Sequence, residues 1–270
     1  MMRSQAVIST DVQYARQNTA YWTARAAGYS AVNQEELATG QRRVWSHALK
    51  TRIEALGLNV NRQRIHVLDV GTGPGFFAIV LAHMGFQVTA VDCTAAMLDR
   101  ARINAAEEGV LERICSARHD AQCLPFPDET FDVVVSRNLT WNLHHPQKAY
   151  REWARVLKST GGILNFDANW YRYLYDEAFA AGHRHDRANV ERLRVIVDTA
   201  GTDVDHMQAI ARTAYLSRRQ RPQWDLEVLT ALGLRATAQL DAYEELWTRT
   251  ELVNNASTPM FCITARKGVP

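Results

Sequence analysis

Val67-Leu68-Asp69-Val70-Gly71-Thr72-Gly73-Pro74-Gly75-Phe76 is an apolar run that enters a glycine-rich turn and leaves it as a helix. Gly71 and Gly73 let the backbone turn sharply and approach a ligand with no Cβ atom in the way, and Pro74 suits the first position of the following helix. A glycine loop alone is a weak signal. Val91-Asp92, about 20 residues further on at the end of the next β-branched run, strengthens it, because a carboxylate there can accept both hydroxyls of a ribose. Asp69 either orients the loop or touches the ligand; its position allows both.

Around this loop, short β-branched runs alternate with stretches of helical period, the pattern of βαβ units and a parallel sheet. Strands are predicted over 65–70, 87–91, 113–117, 131–135 and 162–166, with helices over 76–84, 95–108 and 147–157. Ahead of them, 11–56 reads as a helical preface that stops at Gly57. Behind them, 170–213 reads as a helical insertion over the site, with a charged section at 183–194. A helix over 224–232 and strands over 234–240 and 260–265 complete the chain, with no core-type helix evident between those strands, so they should pair antiparallel at one edge. The expected fold is α/β, doubly wound, with one domain over 1–270: a helical lid (1–58), a binding core (59–168), the insertion (169–220) and a terminal helix with edge strands (221–270).

The composition bounds the partners. With 270 residues, 47% hydrophobic content and a formal net charge of +2, the chain can bury a sizeable core and offers little to a polyanion. No nucleic-acid partner is expected, and Arg218-Arg219-Gln220-Arg221 reads as a solvated face. Cys93, Cys115, Cys123 and Cys262 form no C-x-x-C pair or zinc spacing, which suits a reducing cytoplasm and no metal. No apolar run approaches the roughly 18 residues of a membrane helix, so no membrane partner is expected.

Two ligand classes share the loop geometry. A dinucleotide fingerprint asks for G-x-G-x-x-G, but Phe76 stands at the third glycine position and Gly75 one place earlier. The run Asp69-Val70-Gly71-Thr72-Gly73-Pro74-Gly75 resembles motif I of the class I S-adenosylmethionine (SAM)-dependent methyltransferases. Further segments are similar to that family: Asp120-Ala121-Gln122-Cys123-Leu124-Pro125-Phe126, then Phe131-Asp132-Val133-Val134, and Arg155-Val156-Leu157-Lys158 with Ser159-Thr160 lengthening the turn before strand five. The resemblance implies a Rossmann-like, mostly parallel seven-stranded sheet and SAM as co-substrate or substrate. It places Asp120 and Ala121 at the adenine edge, and Tyr29, with Tyr21 as second choice, at the SAM carboxylate. Thr72, Cys93 and Met97, beside the loop and Asp92, complete the candidate SAM-binding set.

The reaction should occur beyond the ends of strands four and five. The segments there, 136–146 and 167–175, are rich in amides and aromatics. Aromatic faces and carbonyl oxygens suit a sulfonium, a cation without N–H donors. Tyr171 and Tyr175, four apart on the expected helix, either present their rings to the site or line a core seam. Asn138 can orient an amine or hydroxyl through its side-chain oxygen. His144-His145 suggests a base, or merely the start of a helix at Pro146. The expected function is methyl transfer to a small nucleophilic acceptor by a monomer or homodimer. Cyclisation of SAM by its own amine, giving azetidine-2-carboxylate and methylthioadenosine, is the alternative.

Overall fold

In the computed structural model, which describes residues 2–58, 61–197, 199 and 201–268 (side chains of 2–9 and 62 excepted), helix α1 spans Met2–Ala38 and α2 spans Gly40–Ala55. One continuous helix over 11–56 is therefore corrected. Thr39 interrupts it as the N-cap of α2, its hydroxyl accepting from Gln41 N. Residues 59–60, where the expected lid and core meet, and termini 1 and 269–270 lie outside the described residues.

The βα alternation follows: β1 His66–Val70, α3 Phe76–His83, β2 Gln87–Asp92, α4 Ala95–Glu107, β3 Ile114–Arg118, β4 Phe131–Arg137, α5 Pro146–Val156 and β5 Leu157–Asp167. After these come α6 Glu177–Leu193, α7 Val204–Thr213, α8 Gln223–Ala231, β6 Leu234–Gln239, α9 Ala242–Leu246, α10 Arg249–Asn255 and β7 Phe261–Lys267. The seven strands order as β3-β2-β1-β4-β5-β7-β6. β1 to β5 pair in parallel, and β7 is antiparallel to both β5 and β6. This is the doubly wound, Rossmann-like sheet expected. Its order reverses between β1 and β4, so a crevice opens at their carboxyl ends.

Side chains alternate across the strands, and each face buries its own core. Val67, Val133, Leu164 and Phe166 pack with Trp45 of α2 and Phe76 and Phe77 of α3. Leu68, Val134 and Ile163 pack on the other face with Tyr150 and Trp153 of α5 and Leu229 of α8. A third cluster joins α1 to α7 and the loops above the sheet through Tyr14, Tyr21, Trp141 and Met207.

Three local readings change. β5 begins at Leu157, and the extra turn residues are taken up by a register shift, since Phe131 pairs with Leu157 but Val133 with Gly162. Gly161 is required there: a Cβ would lie 2.6 Å from the Asp132 carbonyl oxygen. The stretch 170–213 is not one helix, because Asp176 caps α6, accepting from Ala178 N and Phe179 N, and leaves only a 3₁₀ turn at Arg172–Leu174 before it. Two short helices, α9 and α10, do separate β6 from β7, and Thr248 with Glu251 forms the capping box that starts α10.

The basic run at 218–221 is also corrected. Arg218 and Arg219 lie over the rings of Tyr175 and Tyr215, but Arg221 is buried. Its guanidinium donates to Asp167 at the end of β5 (2.8 Å), to both oxygens of Asp225 in α8 (2.8 and 2.9 Å) and to Thr140 Oγ1 (2.6 Å). Burial opposes its charge, yet the two carboxylates raise its pKa well above the ordinary value. Arg221→Met leaves both carboxylates buried without a counter-ion. It should lower unfolding stability by about 3–5 kcal/mol in urea titrations; a loss below about 1 kcal/mol would mean the network is not structural.

Candidate active site

A cavity of about 750 Å³ lies over the carboxyl ends of β1, β2 and β4, roofed by α1. That is within the range of about 300–1,000 Å³ for small-molecule sites. Its floor is the glycine loop. Gly71 and Gly73 have φ of 69° and 54°, and a Cβ at Gly71 would lie 2.7 Å from the Leu139 side chain. A Cβ at Gly73 would stand 3.5 Å from the Tyr29 ring, so the loop and α1 face each other across a narrow slot. Asp69, buried at the end of β1 and lining the cavity, accepts from Thr72 Oγ1 at 2.6 Å, a bond that orients the loop.

Asp92, at the end of β2, accepts from Thr94 N (2.8 Å) and Gly73 N (3.1 Å). Burial raises its pKa, and those amide hydrogens oppose the rise. Cys93 and Met97 line the same side of the cavity. Asp120 and Ala121 border the next edge, with the Asp120 carboxylate held by Gln122 N at 2.9 Å.

Past β4 the chain turns through Asn138, which takes φ 55°, a region asparagine enters more readily than most side chains. Its backbone is held on both sides: its N donates to Phe166 O (2.8 Å) and its carbonyl accepts from Trp141 Nε1 (2.9 Å). Asn138 lines the cavity, and its Oδ1 has no partner among the described residues. Trp141 lies against Tyr171, the rings tilted by 31° with centroids 4.9 Å apart, and both line the cavity with Tyr173.

The structure brings Tyr21, Tyr29, Gly71, Thr72, Gly73, Asp92, Cys93, Met97, Asp120, Ala121, Asn138 and Tyr171 to one cavity. Tyr175 is the exception and a correction. With a 3₁₀ turn instead of a helix, its ring is not on the face of Tyr171; it is part-exposed outside the cavity, donating to Arg212 O. His145 precedes Pro146 as the N-cap position of α5, so that pair does start a helix. Arg25 and Arg137 line the cavity and were missed. Arg25 was legible, lying four residues from both Tyr21 and Tyr29 on one face of α1. Arg137 was not: it pairs bidentately with Glu36 of α1, 101 residues away, at 2.8 and 2.9 Å.

Fold and site together define a class I SAM-binding architecture. Residues 68–165, from β1 to β5, match the family model described as a methyltransferase domain. The chain is 27% identical over 216 residues to the uncharacterized methyltransferase YcgJ of Bacillus subtilis, covering 78% of this chain and 82% of that protein. It is 38% identical over 107 residues to the phosphatidylethanolamine N-methyltransferase of Cereibacter sphaeroides, 39% of this chain and 52% of that relative, and so spans about half its length. A crystal structure of a SAM-dependent methyltransferase from Aquifex aeolicus superposes with a TM-score of 0.51 at 17% identity, covering 80% of this chain and 87% of that one, a likeness of fold. The stretch from β1 to β5 matches a methyltransferase domain, and the chain is similar to class I SAM-dependent methyltransferases, whose co-substrate is SAM. Its residues fit that ligand: a slot a side chain at Gly73 would narrow, a carboxylate at Asp92, and an unpartnered buried oxygen on Asn138. No helix among the described residues is long and apolar enough to cross a membrane.

Burial pushes Asp69 from its ordinary 3.8 up to about 7. Between those values the unfolded carboxyl is ionised while the folded one keeps its proton, so its contribution to stability falls as pH rises through the window and levels above it. Asp69→Asn, which cannot titrate, should gain stability relative to the parent from about pH 4 to about pH 7. Parallel stability–pH curves for the two proteins would contradict a protonated Asp69.

Proposed function

We propose that this chain transfers the methyl group of SAM to a nucleophilic small molecule. The observation that carries the reading is a continuous cavity that runs from the glycine loop, past Asn138, into a chamber walled by Trp141, Tyr171 and Tyr173. SAM supplies an electrophilic methyl on a sulfonium, and the protein's task is to hold that carbon in line with the acceptor.

In this reading Asp92 takes the ribose hydroxyls, and Asp120 with Ala121 takes the adenine edge, with Thr72, Cys93 and Met97 closing around the nucleoside. Tyr21, Arg25 and Tyr29 hold the methionine carboxylate from the lid. Asn138 Oδ1 accepts a hydrogen bond from the methionine amine or the acceptor, and the Trp141 and Tyr171 faces sit against the cationic end. Positioning and exclusion of water supply the rate, so no dedicated base is assigned. The lid at 1–58 and the insertion at 169–220 would enclose the acceptor, in a monomer or homodimer. Free cysteines at Cys93, Cys115 and Cys123 suit a reducing cytoplasm.

The test is mass spectrometry of the nucleoside products. With SAM alone the protein should leave it intact, and with a panel of small phenols, amines and thiols S-adenosylhomocysteine should accumulate in step with a methylated acceptor. Enzymatic methylthioadenosine from SAM alone would overturn methyl transfer in favour of cyclisation to azetidine-2-carboxylate. Asp92→Asn should weaken SAM binding by roughly 10-fold or more by calorimetry, the scale of a lost hydrogen bond to a charged group. Unchanged affinity would remove Asp92 from the ribose.

A further inference from the structure

At the mouth of the cavity, away from the glycine loop, Asp11 of α1 meets His144 and His145, which immediately precede α5. His144 Nε2 lies 2.7 Å from Asp11 Oδ1, and His145 Nε2 lies 3.1 Å from Asp11 Oδ2. One donor atom from each of the three side chains falls within 4.8 Å of the others. Around a zinc ion, bonds of about 2.0–2.2 Å at tetrahedral angles put neighbouring donors about 3.4 Å apart. Small side-chain adjustments therefore separate this cluster from a coordination sphere.

The surroundings hold the donors in place. The Tyr14 ring stacks on His144 at 4.6 Å, and Tyr14 OH donates to Asn142 O in the same loop. His145 N donates to Gln122 Oε1 at 2.6 Å. His144 Nδ1 has no partner among the described residues, and the Nε2 proton that Asp11 Oδ1 accepts at 2.7 Å is the one an ion displaces on binding. The side chains of Asp11 and His145 are 41% and 49% exposed, so an ion has access from solvent.

We propose that Asp11, His144 and His145 form a divalent transition-metal site of the zinc class that ties α1 to the loop ahead of α5. Two imidazoles and one carboxylate are a donor set for zinc and its neighbours rather than for calcium or magnesium. Because the donors come from elements 133 residues apart, the site is complete only while α1 lies over the cavity. Metal binding is thereby coupled to lid closure. In the sequence the histidine pair alone is weak evidence for a metal, and Asp11, the third donor, stands 133 residues away.

The experiment uses the full chain stripped with a chelator. Zn²⁺ is titrated by calorimetry, and Co²⁺ by visible absorption, which distinguishes nitrogen and oxygen ligands from the exposed cysteine thiolates. One equivalent should bind with a spectrum free of thiolate charge transfer. Asp11→Asn and His145→Ala should each weaken it by at least the roughly 10-fold that even an outer-shell change costs, with melting temperatures of the metal-free variants kept near the parent's. Affinity unchanged in both variants, no saturable binding, or a thiolate spectrum would overturn the site. Hydrogen exchange reads the coupling separately: amides of residues 11–22 should slow with Zn²⁺ in the parent, and identical exchange with and without the ion would overturn the tie.

Discussion

The buried guanidinium of Arg221 is the constraint on which the active-site end of the sheet depends. It meets Asp167 at the tip of β5, Asp225 in α8 and Thr140 in the loop after β4, three places that share no local contact in sequence. A charge out of water is costly unless every group around it is paired. Here the carboxylates receive more than Arg221 alone supplies. Tyr150 OH donates to Asp225, and Thr140 Oγ1, Trp141 N and Trp170 Nε1 donate to Asp167. Asn165 Nδ2 closes the network by donating to Thr140 and Tyr150. The loop that presents Asn138 and Trp141 to the cavity is thus held from beneath before any ligand arrives, which is what positioning-based catalysis requires.

A second arginine ties α1 to the sheet. Arg137 leaves the end of β4, lies over the rings of Trp45, Phe76 and Phe77, and pairs with Glu36 near the carboxyl end of α1. The guanidinium–carboxylate pair is largely buried, with side chains 12% and 14% exposed. The other end of α1 is held by buried Tyr14, whose OH donates to Asn142 O, by Asn18 with Asn142, and by the more exposed pairing of Asp11 with the two histidines. A cation bridging Asp11 to the histidines would add to that anchor at its exposed edge.

What was readable in the chain follows the range of the interactions involved. The glycine loop and Asp92 were legible because turn chemistry and the βα period are local. The parallel sheet was legible because short β-branched runs alternate with stretches of helical period. Boundaries failed where a cap intervened. Thr39 broke the preface and Asp176 began α6 late, and a capping side chain competes with helical period over only a few residues. That late start removed Tyr175 from the cavity while leaving Tyr171 in it.

The sequence by itself determined the doubly wound sheet, the position of its binding crevice and the glycine and carboxylate groups that line it, since those rest on backbone freedom and periodicity within a few turns of chain. Only the tertiary structure decided which cations are buried, which aromatics face the cavity and which side chains meet across the lid. Arg221 looked like its exposed neighbours even with Asp225 four residues on, and Asp11 gave no sign of its two histidines, because Asp167 and those histidines, more than 50 and more than 130 residues distant, are brought in by how the helices pack over the sheet. Desolvation and pairing, which set those choices, have no local signature.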